Sequence, residues 1–413
     1  MSKSFFGGTS MDALEILSDL EHVFPYFQPI FSADEQLVIA YKVLGRYKTG
    51  DNIISLGPFF QDDQIPDEYK FEVDLLLVRK ALENAIKLDD DISIFLNRNA
   101  ELLMYGHGEP FLQELLEFEK KGFNLSRIVL EISERKYLGD IDQFDHLLQY
   151  YRTYGIKIAV SSIDSESYHF ERIGQLEPDI LKINLEPLKS TATGMNFHDV
   201  LFTLSLLARK IGATLMFENI EMSYQLQFAW KNGGRYYQGF YLYPPAAEFI
   251  QRDLLKPRLK EKFHDFISYE KRKLEGVYLA SEYFHSMVQE IVMKNKKAGF
   301  EELLQTLVKE LDHIAFRMYI CDEDGVQKSA NIFKEKNGWI DQAEYKNKNW
   351  SWRPYFLENI IKMRNERKGI LSDLYRDIET GENIRTFSYP MNGNDYLFID
   401  ISYQYLFEHE QLL

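Results

Sequence analysis

From residue 22 the chain alternates short runs rich in β-branched and aromatic residues with longer runs whose apolar positions recur every three or four residues. The short runs predict strands over 24–30, 37–46, 92–97, 128–132, 157–161, 180–183, 214–217 and 235–242, with helices filling most of the gaps. Strand–helix alternation builds a parallel sheet, and eight strands within about 220 residues predict a closed, irregular (β/α)8 barrel. Only Phe31 to Gln36 separate the first two strands, too short a link for a parallel crossover, so that pair is expected to be antiparallel. The barrel domain is expected over residues 12–250, behind a loose leader of residues 1–11 that contains Gly7-Gly8-Thr9-Ser10.

Beyond it the helical pattern runs unbroken from Lys256 to about Lys297, with apolar positions at Leu259, Phe263, Phe266, Leu274, Val277, Phe284, Val288 and Ile291. Residues 251–299 are therefore expected to be a helical connector, which either packs on the barrel or relays a signal and dimerises. From residue 300 a helix over 301–312 is followed by β-rich runs punctuated by Asp324-Gly325, Thr380-Gly381 and Asn392-Gly393. Residues 300–413 are expected to form a small α+β domain with an antiparallel sheet.

Composition narrows the function. Hydrophobic residues at 45% and aromatics at 15% describe a folded chain. No apolar run approaches the roughly 20 residues that cross a bilayer, so the protein is expected to be cytoplasmic without membrane insertion. Forty-eight basic against sixty-four acidic residues give −16, the wrong sign for a DNA-binding surface, although a small anion could still be held by one or two arginines in a pocket. Cys321 is the only cysteine, which excludes an internal disulfide and a thiolate metal cage.

In such barrels the working residues lie at the carboxyl ends of the strands. Those ends carry Arg46, Asn97, Glu131 with Glu134, Ser161 with Ser162, Lys182, Glu218 and Gln238. In order, Tyr26-Phe27-Gln28-Pro29-Ile30, Tyr41-Lys42-Val43-Leu44-Gly45-Arg46, Leu96-Asn97, Leu130-Glu131-Ile132-Ser133-Glu134, Leu181-Lys182-Ile183-Asn184, Phe217-Glu218-Asn219-Ile220-Glu221 and Tyr237-Gln238-Gly239-Phe240 resemble the motifs of the EAL phosphodiesterase family. The tail, Asn349-Trp350-Ser351-Trp352-Arg353-Pro354-Tyr355-Phe356, resembles the PAS- or Cache-like domain that follows the barrel in a Bacillus member of that family.

The resemblance implies a fold, a ligand and a metal site. Active members hydrolyse cyclic di-GMP, using divalent cations that neutralise charge on the phosphate and activate water; in this chain Mg or Mn (or Ca) is expected only if a residual metal site is occupied. Asn97, Glu131 and Glu218 match metal positions, and Lys182 with Glu218 match catalytic ones. The departures fall on the same cluster: Lys42 stands where the signature glutamate belongs, and Ser161 and Ser162 stand where two aspartates belong. Two-metal catalysis is expected to be lost. Lys42 either takes the cation's place between Glu131 and Glu218 or reaches out to solvent.

Recognition positions are better kept. Arg46 matches the arginine that contacts the dinucleotide phosphate, and Gln28, Leu44, Pro58, Phe59, Asp74 and Gln238 match positions around the ligand. The expected protein is a cyclic di-GMP receptor, requiring no cofactor, homodimeric, with an unknown protein partner; weak metal-dependent hydrolysis and a nucleotide-free scaffold are the alternatives. In the tail, Trp350, Trp352, Arg353 and Tyr355 are a candidate sensor pocket or else a packed surface strand. The loop Ile163-Asp164-Ser165-Glu166 replaces a Gly-rich turn that the family links to dimer activation.

Overall fold

The computed structural model describes residues 13–133, 139–162, 170–189, 194–353, 356–391 and 394–413. The chain divides into two units, Met1–Phe263 and His264–Leu413.

Nine strands build the sheet of the first unit: β1 (Val23–Ser32), β2 (Val38–Thr49), β3 (Asn52–Ser55), β4 (Ser93–Arg98), β5 (Ile128–Ser133), β6 (Lys157–Ser162), β7 (Ile180–Asn184), β8 (Thr214–Glu218) and β9 (Tyr236–Tyr237). Strands β2 and β4 to β9 run parallel, and β1 closes the ring antiparallel to both β2 and β9. The short link after β1 thus makes the antiparallel pair that its length requires. Strand β3 lies outside the ring as a hairpin on β2, with Gly50 at a φ of 59° in the turn. It was not foreseen, because its residues carry too little pattern to distinguish a hairpin arm from a loop.

Alternation along the strands fills the barrel. Ile30, Ala40, Phe95, Val129, Ala159, Ile180 and Met216 point inward as one apolar cluster. Two residues further along the parallel strands, the same face carries Lys42, Asn97, Glu131, Ser161, Lys182 and Glu218, a polar layer resting on an apolar floor. Helices outside the ring bury one stripe each. Asp67–Ala85 buries Phe71, Val78, Ala81, Leu82 and Ala85, and Glu109–Lys120 buries Phe111, Leu112, Leu115 and Phe118. Asn99 caps the helix after β4 by accepting from the Glu101 amide, which ends that strand just past Asn97.

The last barrel strand is shorter than the run 235–242 suggests. At Gly239 the backbone folds against Ile220, whose amide donates to the Gln238 carbonyl while the Tyr241 amide donates to the Ile220 carbonyl. A Cβ at Gly239 would lie 2.0 Å from the Ile220 carbonyl oxygen. Gly239→Ala is therefore expected to destabilise the barrel by about 1–3 kcal/mol, read by denaturant unfolding, because two backbones must part to admit one methyl group.

The long helix is found at Lys256–Lys294, and the helix expected over 301–312 at Phe300–Leu311. In the second unit β10 (Ala315–Asp322), β11 (Asn331–Glu335), β12 (Gly338–Gln342), β13 (Ile370–Leu371), β14 (Tyr375–Arg376), β15 (Asn383–Pro390) and β16 (Asp395–Ile401) pair antiparallel throughout. One face of this sheet packs Met318, Ile320, Phe387, Leu397 and Ile399 against Leu303, Leu304 and Leu307 and against Phe284, Val288 and Val292 of the long helix. The other packs Tyr319, Cys321, Tyr396 and Phe398 against Phe356, Ile360 and Met363. Both faces are covered, so β10 is buried along nearly its whole length. Among the described residues no helix is long and apolar enough to cross a membrane.

Candidate functional site

The polar layer of the barrel brings four charged side chains together. Lys42 Nζ on β2 lies 2.8 Å from Glu131 Oε1 on β5 and 3.5 Å from Glu218 Oε2 on β8. Lys182 Nζ on β7 lies 2.6 Å from Glu131 Oε2 and 2.8 Å from Glu218 Oε2. The Lys182 side chain is 0% exposed, and those of Glu131, Lys42 and Glu218 are 5%, 12% and 17% exposed, so water screens the four only weakly. Two ammonium groups and two carboxylates leave the cluster neutral. Lys42 therefore turns inward to the acids and does not reach for solvent.

Burial disfavours the charges of Lys42 and Glu218, but the opposite charges outweigh it. The carboxylates of Glu131 and Glu218 hold the Lys42 ammonium above its ordinary value. The Lys182 and Lys42 ammonium groups lower Glu218 from 4.5 to about 2. The remaining members of the layer add little charge. Ser161 Oγ donates to the Ile132 carbonyl at 3.2 Å, and Asn97 is exposed.

This donor set does not fit a divalent cation. Such ions need several oxygen ligands, preferably carboxylates, and both carboxylates here are already held by ammonium groups. Among the described residues no group of three or more Asp, Glu, His or Cys is placed to hold a metal.

Beside the cluster opens a cavity of about 500 Å³ whose wall includes Leu44, Arg46, Asp74, Asn97, Glu131, Ser161 and Glu218. Seven of the residues singled out from sequence thus share one wall. The Arg46 guanidinium lies 5.2 Å from the centre of the Tyr26 ring and donates to its neighbour's carbonyl, that of Gly45, at 2.9 Å. Burial lowers its pKa, with Tyr26 opposing, and no carboxylate of the described residues pairs with it. Asp74 is fixed by an ion pair with Arg98, whose guanidinium stacks 3.7 Å from the Phe111 ring centre. Gln238 is buried, and its Nε2 has no hydrogen-bond partner among the described residues. Gln28 sits opposite Lys42 in the β1–β2 register.

Four expected ligand positions, Gln28, Pro58, Phe59 and Gln238, are not among the residues that line the cavity. Phe59 is 0% exposed in a core with Val23, Leu56, Val73 and Leu77, and Pro58 is exposed outside the cavity wall. The cavity is faced instead by Gly57, Phe60 and Gln61. One turn of helix, Gly57–Gln61, turns adjacent aromatics about 100° apart, so Phe59 is buried in the core while Phe60 packs against it and also faces the cavity, and two phenylalanines in a row give no sign of which one turns inward. Ser55, Arg98 and Asn184 also line the cavity and were not foreseen.

In the second unit Trp350, Trp352 and Arg353 do come together, as a surface stack. The Arg353 guanidinium lies 4.6 Å from the Trp350 ring centre and 6.0 Å from that of Trp352, which is 65% exposed. Trp350 also donates to Gln327 Oε1 and stacks with Tyr345, over which Lys348 sits. Glu134, Tyr355, the Ile163-Asp164-Ser165-Glu166 loop and the Ser162 side chain lie outside the described residues.

Comparison with known proteins matches residues 11–245 to the EAL domain and residues 249–413 to the EAL-domain associated signalling protein domain. YkuI of Bacillus subtilis (strain 168), an uncharacterized EAL-domain containing protein, is 53% identical over 406 residues, which is 98% of this chain and 100% of that protein. Its crystal structure in complex with substrate c-di-GMP and calcium superposes at a TM-score of 0.93, covering 98% of this chain and 100% of that one. The probable cyclic di-GMP phosphodiesterase PdeG of Escherichia coli (strain K12) is 24% identical over 253 residues, 58% of this chain and 48% of that protein.

Proposed function

Because the chain belongs to the EAL-domain family and carries the signalling domain associated with it, we propose that it is a cyclic di-GMP receptor, one that binds the dinucleotide without hydrolysing it. The observation that carries this reading is the contrast across one cavity wall. Arg46 presents a guanidinium that no described carboxylate neutralises, while Ser161 on the same wall and Lys42 in the charge cluster beside it stand where the family's metal chemistry calls for acids. A guanidinium at a cavity wall suits a phosphate oxygen. Hydrolysis of a phosphodiester needs cations to neutralise developing charge and to activate water, and the oxygens left here are taken up by ammonium groups.

Further support comes from Asp74, fixed at the wall by Arg98. YkuI, which this chain matches over nearly its full length, was crystallised with cyclic di-GMP. Arg46→Ala is expected to weaken cyclic di-GMP binding by about 10- to 100-fold in calorimetry, the value of a hydrogen bond to a charged group. Unchanged affinity would overturn the assignment. Release of linear dinucleotide in excess manganese, abolished by Lys182→Ala, would favour the weak phosphodiesterase instead.

A further inference from the structure

We propose that Lys42 is the resident cation of this site: its ammonium, tethered to β2, bridges Glu131 and Glu218 and keeps a divalent ion out. The inference rests on the receptor reading only for its consequence, that dinucleotide binding needs no metal.

Three observations lead to it. The first is position. Lys42 Nζ touches a carboxylate oxygen from each of two strands, at 2.8 and 3.5 Å, which is what a bound cation would do between the same acids. The second is charge. With Lys182 also in contact with both acids, the four groups already sum to zero, so a divalent ion would add two uncompensated charges where solvent screening is weak. The third is the floor. Ala40, Phe95, Val129 and Met216 form the layer beneath, so neither the acids nor the ammonium finds a polar partner below the cluster. Ser161 shows the same adaptation, since its hydroxyl donates to the Ile132 carbonyl on the neighbouring strand.

A tethered ammonium and a free metal ion differ in what they require of solution. The first is present at any metal concentration and supplies one charge; the second must be captured and supplies two. Cyclic di-GMP binding should therefore be insensitive to chelator. Exchanging the single side chain for an acid turns a neutral cluster into one of charge −2 with three carboxylates, and Asn97 on β4 offers a further oxygen nearby.

The test is titration of the full chain with manganese chloride alone, followed by cyclic di-GMP with EDTA or manganese. The wild-type protein is expected to give no manganese binding and to hold its dinucleotide affinity in EDTA. Lys42→Glu is expected to bind manganese at least about tenfold more tightly than the wild type, a shift that one added carboxylate and one lost ammonium readily supply. Lys42→Gln, which keeps length and loses charge, should fall between them and serves if the acid variant does not fold. Manganese bound equally by wild type and Lys42→Glu, or wild-type dinucleotide binding abolished by EDTA, would overturn the proposal. Absence of dinucleotide binding in every buffer counts against the receptor reading alone, because the manganese titration contains no nucleotide.

Discussion

Lys182→Met is expected to cost the barrel about 3–5 kcal/mol, the usual loss when one partner of a buried ion pair is removed. The methionine replaces the aliphatic stem but leaves Glu131 and Glu218 to share Lys42 alone, in a layer where Lys182 itself is 0% exposed. The pH dependence should change with it. In the wild type Glu218 is lowered from 4.5 to about 2, so the stability it contributes is complete above pH 4.5 and is lost as the pH falls toward 2. Lys42 is raised above its ordinary 10.5, so its contribution is complete below that pH and is lost only in stronger base. The Glu218 and Lys42 contributions should thus be flat from about pH 5 to pH 10. In the variant a buried carboxylate that has lost its ammonium favours its protonated form, so the deficit relative to the wild type should narrow as the pH falls. Hydrogen exchange of the full chain, read on barrel peptides at pH 7 and below, checks both. A loss under about 1 kcal/mol, the value of an exposed pair, would show that the cluster is better solvated than its burial indicates.

Arg317→Met should have a comparable effect on the second unit. Arg317 on β10 donates to Asp400 at 2.5 Å, to Asp377 at 2.6 Å and to Glu379 at 2.7 Å. Asp400 and Asp377 are 0% and 4% exposed, so removing the guanidinium strands two carboxylates in the interior. Thr386 and Thr380 still donate to them, but hydroxyls do not cancel a charge. A loss of about 3–5 kcal/mol is expected from the same physical cause. The contrast is Lys294 with Glu290 on the long helix, also 2.6 Å apart but 71% and 66% exposed. Lys294→Ala should leave stability nearly unchanged, because burial and not distance sets the value of an ion pair. Denaturant unfolding followed by the tryptophans at 339, 350 and 352, all in the second unit, measures both variants. Equal losses would refute the distinction.

Much of the barrel was legible because its strands repeat every two residues and its helices every three or four, and the link after β1 is too short for anything but an antiparallel return. The positions at strand ends were legible for the same reason: Asn97, Glu131, Lys182 and Glu218 each stand at the polar end of an apolar run, whereas Lys42, inside β2, was singled out by its place in a family motif. Other elements left no such trace. The run 235–242 reads as a strand, yet it ends at Tyr237 because Gly239 folds onto Ile220, a contact between segments that share no local pattern. Phe59 and Phe60 are chemically equal, and only the turn of the Gly57–Gln61 helix decides which one enters the core.

The chain's own pattern predicts the architecture, and the motifs at the strand ends carry the family resemblance, which implies acids where Lys42, Ser161 and Ser162 stand. Whether that lysine faces water or acid is decided only in the closed ring. Lys42 and Glu131 are 89 positions apart, on strands separated in the sheet only by β4, and closure of the ring through β1 brings Glu218 on β8 to the same layer. Local sequence encodes direction and polarity; the distances between charges, and therefore their energies, arise from the packing that brings distant strand ends to one layer.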